Sequence, residues 1–255
     1  MIIDTHAHYD SEQFDEDREE LLLSMEAKQV GIIVNMGASL GGCAASIALA
    51  EKYPFIYAGV GVHPDEVGEL NEKTFSELKV MLGHEKVVCL GEIGLDYHWM
   101  VQEKDVQKKW FIRQLDLARE LNMPVNIHSR DAAEDTFYTM KEYGQGLGGI
   151  IHCFSGSAEL AKEYVEMGFH IGVGGVVTFK NGKKLKRVVE EIPLSAIVLE
   201  TDCPYMAPTP FRGQRNNSSY IHYVVEEIAR LKSLTTEEVE KATEANERRV
   251  YRLGE

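Results

Sequence analysis

A closed (β/α)8 barrel is the architecture this chain's pattern points to, and three observations carry it. Eight short apolar, β-branched runs recur along 255 residues, with helically spaced stretches between them. A typical (β/α)8 barrel has about that length, roughly 250 residues. Metal-binding residue types also finish the first, fourth, fifth, sixth and eighth runs, and only closure sets the first strand beside the eighth. An open doubly wound sheet, the main competitor, would leave those ends too far apart.

The first run, residues 2–8, carries His6 and His8 at alternate positions, so on a strand both imidazoles project to one face. The second spans residues 31–36, and the third, 55–63, ends in His63. Residues 87–92 end in Glu92, 125–128 in His128, and 150–154 contain His152. Residues 170–173 form the seventh run, and 197–202 end in Asp202. Between strands, Phe111, Leu115 and Ala118 fall four and then three residues apart on one helical face. Asp131 before Ala132 and Ala133, and Ser157 before Ala158, are expected to cap helices. The longest irregular stretch, 203–218, holds Pro204, Pro208, Pro210 and Gly213, and its place after the last strand puts it at the rim of the mouth.

With 44% hydrophobic residues the chain can bury a full core, and one domain over 1–255 is the simplest organisation, since no linker, repeat or low-complexity segment divides it. The start lacks a leader pattern and no apolar run reaches membrane-spanning length, so the expected compartment is the cytoplasm. Cys43, Cys89, Cys153 and Cys203 are scattered singly and are expected as buried free thiols. Asp and Glu outnumber Lys and Arg by 41 to 27, a formal charge of −14 that opposes broad duplex binding. A local phosphate site survives this, because bound divalent cations reverse the field where it matters.

His6, His8, Glu92, His128, His152 and Asp202 together supply four imidazoles and two carboxylates, enough for two divalent metals with Glu92 placed to bridge them. Imidazole and carboxylate suit zinc, manganese, iron or nickel better than an all-oxygen magnesium site would. A metal can lower the pKa of bound water to about 7, so hydrolysis is the natural chemistry. Asp202 is the candidate both to ligate and to accept the proton of attacking water. The competing explanation needs six separate hydrogen-bonded strand ends.

The stretches Asp4-Thr5-His6-Ala7-His8, Gly61-Val62-His63-Pro64, Gly91-Glu92-Ile93-Gly94-Leu95-Asp96-Tyr97, Pro124-Val125-Asn126-Ile127-His128-Ser129-Arg130-Asp131-Ala132, His152-Cys153-Phe154-Ser155-Gly156-Ser157 and Glu200-Thr201-Asp202-Cys203-Pro204 resemble, in this order, the TatD family of metal-dependent deoxyribonucleases, within the amidohydrolase-like metal barrels. The resemblance implies that the six residues are metal ligands, that two divalent ions (magnesium, manganese or zinc) are the cofactors, and that Asp202 and Glu92 are catalytic. It further implies a substrate that is DNA or another phosphodiester, shortened from the 3′ end in DNA degradation or repair. No membrane or obligate protein partner is expected. Where the family commonly reads Gly-Lys-Arg-Asn-x-Pro, this chain reads Gly213-Gln214-Arg215-Asn216-Asn217-Ser218, and His98 replaces an aromatic.

Substrate contacts are less determined. His63 is either a phosphate contact or a structural histidine, and Arg130 either clamps phosphate or pairs with Asp131. Arg212 and Arg215 either track a backbone or pair with carboxylates. Lys180, Lys183, Lys184, Lys186 and Arg187 are either an approach for DNA or the solvated start of a helix, and Phe179 or Tyr205 could stack a terminal base. His98 is an accessory ligand or an exposed loop residue. Two other functions compete with the nuclease: hydrolysis of a C–O or C–N bond, as in deacylation of a charged tRNA, and a metal-stabilised binding protein without turnover.

Overall fold

The computed structural model describes residues 1–254. Eight parallel strands lie in sequence order: β1 (Ile2–Ala7), β2 (Val30–Met36), β3 (Ile56–Val60), β4 (Val87–Asp96), β5 (Val125–Arg130), β6 (Gly149–Ile151), β7 (Phe169–Val173) and β8 (Ile197–Leu199). Helices α1 (Arg18–Leu23), α2 (Leu40–Lys52), α3 (Glu72–Met81), α4 (Lys104–Glu120), α5 (Ala133–Tyr143), α6 (Ala158–Glu166), α7 (Lys183–Glu191) and α8 (Ile221–Lys232) follow the strands in turn, and α9 (Thr236–Tyr251) ends the chain. The expected (β/α)8 barrel is therefore the fold. Phe111, Leu115 and Ala118 are buried on one face of α4, as their spacing requires.

Strand side chains alternate, and here both faces are buried. The outward set packs on the helices, while Val34 and Met36 of β2, Cys89 of β4, Ile150 of β6 and Val198 of β8 form a separate cluster. Those are the even-numbered strands, whose inward residues share a layer in this architecture. Val250 and Tyr251 of α9 join the same cluster, so the last helix plugs the barrel floor.

Closure of the barrel is partly made by side chains. β8 stops at Leu199, and pairing with β1 resumes only at the Ala7–Cys203 bridge, with Asp202 N–H donating to His6 O (2.9 Å) and His8 N–H to Cys203 O (2.8 Å). In the gap, Glu247 of α9 accepts from Leu199 N–H (2.8 Å) and the Thr5 hydroxyl donates to Leu199 O (2.7 Å), so buried backbone groups are not orphaned. Asp4 completes the seam. Its carboxylate accepts from Thr201 N–H (3.0 Å), the Thr201 hydroxyl (2.6 Å) and the Ser218 hydroxyl (2.6 Å). Burial nevertheless raises its pKa to about 6.

Three sequence expectations need correction. Asp131 is not the cap of α5: Ala132 holds that position without a side-chain bond, because Asp131 adopts a positive φ of 52° and turns its carboxylate to His98. The first, third, sixth and eighth strands end earlier than their apolar runs, leaving His8, His63, His152 and Asp202 just beyond them. Ser157 does cap α6, accepting from Leu160 N–H (3.2 Å). Three cysteines are buried free thiols, while Cys153 is only half-buried.

Asp4→Ala leaves four buried donors without this acceptor, the three above and the His6 N–H (3.3 Å), so denaturant unfolding is expected to show a loss of about 3 kcal/mol or more. Thr235→Ala, which removes only the capping box of α9, is expected to cost about 1 kcal/mol. Equal losses for the two would contradict the role given to the seam.

Candidate metal centre

Alternation along β1 places His6 and His8 on one face, and their Nε2 atoms lie 3.0 Å apart. Two lone pairs at that spacing repel unless a proton or cation lies between them. Glu92 enters from the middle of β4 and His128 from β5, where Gly94 makes the approach possible. Gly94 has φ +151°, and a Cβ there would sit 1.9 Å from His128 O. His152 and Asp202 follow β6 and β8, with Asp202 held at φ +56°.

Glu92 divides the cluster. Its Oε2 faces His6 Nε2 (3.5 Å) and His8 Nε2 (3.7 Å), whereas its Oε1 faces His128 Nδ1 (2.7 Å) and His152 Nε2 (3.8 Å). Asp202 Oδ1 lies 3.5 Å from His8, 3.7 Å from His152 and 3.9 Å from His6, each at Nε2. Two donors each about 2.1 Å from one tetrahedral ion lie roughly 3.4 Å apart, so most of these spacings fit a shared cation. The His128–Glu92 contact is the exception, a direct hydrogen bond that a cation would have to open. His6 and His152 stack with centroids 3.4 Å apart.

Each imidazole is fixed from behind. His6 Nδ1 donates to Asn126 Oδ1 (3.0 Å), His8 Nδ1 to Met36 O (2.9 Å), and His152 Nδ1 to Glu200 Oε2 (3.0 Å). His128 is reversed, with Nε2 on Asp96 Oδ2 (3.0 Å) and Nδ1 turned to Glu92. Asn126 Nδ2 in turn donates to the Tyr251 hydroxyl (3.1 Å), which donates to Thr5 O (3.0 Å). These partners orient the rings and fix which nitrogen keeps its lone pair for a metal. Sequence reading singled out none of Asn126, Asp96, Glu200 or Tyr251, although three lie inside the quoted motifs.

The electrostatics suit cations. Burial disfavours a charged His8, yet the hydrogen bond and charge of Asp202 with the charge of Glu92 raise its pKa to about 9. His128, likewise buried, is raised to about 10 by Asp96 and Glu92. Burial would raise Glu92, but His6 and His128 hold it well below the usual carboxylate range. His6 is lowered by burial and by His152.

His63 joins the cluster: its ring meets His128 edge-on at 4.3 Å, and its donor atom lies within 4.8 Å of donors on Glu92 and His128. Burial and the neighbouring His128 lower it to about 3, so it is neutral. Arg130 does not pair with Asp131, which takes His98 Nδ1 instead (2.9 Å). Arg215 is committed to Asp17 and to Gln13 O (2.7 Å), tying the last loop to the segment before α1. Lys186 pairs with Glu227 and Arg187 with Glu191 and Glu159, while Lys180, Lys183 and Lys184 make no ion pair among the described residues. Phe179 is buried beneath Arg212, and Tyr205 is exposed. A cavity of about 210 Å³ opens beside Asp202, walled by Phe154, Val176, Leu185 and Met206.

The chain is similar to known proteins over nearly its whole length. The family model for TatD related DNase matches residues 3–252. A Bacillus subtilis protein described as the uncharacterized metal-dependent hydrolase YabD is 47% identical, over 100% of both chains. A Cronobacter sakazakii protein described as the 3′-5′ ssDNA/RNA exonuclease TatD is 30% identical over 98% of this chain and 97% of its own. The crystal structure of the Escherichia coli TatD homologue YjjV superposes with a TM-score of 0.93 at 31% identity, covering 99% of this chain and 98% of that one.

Because an imidazole ligates a metal only in its neutral form, cation binding has to displace the protons of His8 and His128. Both pKa values are raised, so the protons persist until pH passes about 9 to 10 and competition weakens as pH rises. Zinc affinity measured by chelator competition is expected to strengthen steadily from pH 6 to 9, and a flat profile would contradict this. Asn126→Ala and Glu200→Gln are each expected to weaken metal affinity by about 10- to 100-fold. Unchanged affinity in folded variants would remove the orienting role.

Proposed function

Since this chain belongs to the TatD-related DNase family and is a metal-dependent hydrolase, we propose that it is a two-metal phosphodiesterase acting on DNA ends as a 3′–5′ exonuclease. His6, His8, Glu92 and Asp202 would hold one ion, and Glu92, His128 and His152 the other. The observation that carries the reading is the division of Glu92, whose two oxygens face separate pairs of imidazoles. Divalent ions held there supply the acidity that makes water nucleophilic near neutral pH and the charge that offsets the phosphoryl oxygens.

The side chains divide the remaining work. Asp202 is 19% exposed at its side chain against 5% for Glu92, so Asp202 can meet an incoming water while Glu92 is confined between donors. Asp202 therefore accepts the proton at the carboxylate, and Glu92 holds the two half-sites together. His63, neutral beside His128, offers a hydrogen bond to a phosphoryl oxygen, and Arg130 supplies positive charge at the rim. Arg215 acts one step removed, holding the loop after β8 through Asp17. The acidic surface favours a strand terminus that reaches the mouth over a duplex lying across the protein.

The proposed cofactors are two divalent ions per chain, magnesium, manganese or zinc. No helix among the described residues is long and apolar enough to cross a membrane. Free thiols at all four cysteines support a reducing compartment such as the cytoplasm, where we place the enzyme in DNA degradation or repair.

Metal analysis of purified protein, then digestion of 3′- and 5′-end-labelled strands with each ion, tests the proposal. Metal-dependent shortening from the 3′ end is expected, with Glu92→Ala and Asp202→Ala slower by at least about 100-fold. Turnover of amide or carboxylic ester substrates with no cleavage of DNA would contradict it.

A further inference from the structure

Asp96 joins the candidate metal centre to an exposed aromatic side chain. Its Oδ2 holds His128 Nε2, while its Oδ1 accepts from the backbone N–H of His98 (2.8 Å) and of Trp99 (3.3 Å). The loop after β4 is thus clamped to the carboxylate that orients a candidate ligand. In that loop Trp99 is 64% exposed, followed by the exposed Met100 and Val101. The other tryptophan, Trp110, is buried.

Two neighbours fix the indole without covering it. The His98 ring meets it edge-on with centroids 4.8 Å apart, and the Arg130 guanidinium carbon lies 5.5 Å from its centroid. Because Asp131 engages His98, Arg130 has no ion pair among the described residues, in a chain whose formal charge is −14. An open aromatic face beside an uncommitted guanidinium is the pairing that takes a nucleotide. The ring stacks on a base of any identity, and the guanidinium reaches the phosphate.

We infer that Trp99 and Arg130 form a subsite for one nucleobase and its phosphate, adjoining the metal centre, and that its occupant is an unpaired nucleotide of a single strand. This rests on the phosphodiesterase reading. Bases inside a duplex already stack on their neighbours, so an indole gains access only to an unpaired one. The subsite therefore selects single strands and frayed ends by stacking rather than by reading sequence.

The test uses metal-loaded protein and oligothymidylate with phosphorothioate linkages, which slow hydrolysis during titration. Binding is followed by anisotropy of a labelled strand and, separately, by tryptophan fluorescence. Strand binding is expected to quench the wild-type signal, and Trp99→Ala to weaken binding about tenfold. Trp99→Phe should restore most of the affinity while abolishing the quench. Removing the base that occupies the subsite from the strand should cost little further in Trp99→Ala. A strand that binds wild type without quenching, or binds Trp99→Ala as tightly, overturns the subsite and leaves the phosphodiesterase reading standing. No binding of any strand, together with no hydrolysis of bis(p-nitrophenyl) phosphate by wild type, overturns both.

Discussion

Two carboxylates and four imidazoles, each with a donor atom within about 4 Å of another in the cluster, are tolerable only because the outward nitrogen of every ring is already spent. Asn126, the Met36 carbonyl, Asp96 and Glu200 each take one imidazole N–H or ring nitrogen. Left unfixed, these buried polar groups would turn to satisfy one another, and the cluster would collapse into internal hydrogen bonds. It has happened at His128 against Glu92, where one ring meets a carboxylate on each side, Glu92 from the cluster and Asp96 from outside it. Orientation is thus held from outside, leaving the inward lone pairs facing a common space.

The barrel exists to keep that support in place. The candidate ligands come from β1 and the residue after it, from β4 and β5, and from the turns after β6 and β8, so the weak seam between β8 and β1 must hold. Asp4, Thr5, Thr201 and Glu247 hold it with side chains where backbone pairing lapses. The same floor carries Tyr251, which reaches Asn126 and through it His6. Stability and site geometry therefore share residues, and α9 helps to position His6 although it lies at the opposite end of the chain.

Much of this was legible in the residues alone. Strand alternation is local, so the shared face of His6 and His8 could be read directly. The grouping of Glu92, His128, His152 and Asp202 followed once closure was inferred. What could not be read depends on contacts between distant segments or on backbone signs. Asp131 had the composition of a cap, but its positive φ and the His98 partner removed it from that role. Arg215 looked like a substrate contact until Asp17 claimed it, and Arg130 became available for the converse reason. Asn126 lies inside a recognised stretch, yet its role depends on Tyr251, 125 residues away, and periodicity carries no such signal.

Diffraction from the metal-loaded protein at the absorption edge of the bound ion tests the central claim most directly. Two anomalous peaks about 3.5 to 4 Å apart, one on each side of the Glu92 carboxylate, are the expected result. A single peak, or two peaks that leave one oxygen of Glu92 without a metal, would contradict the bridging arrangement on which the account stands.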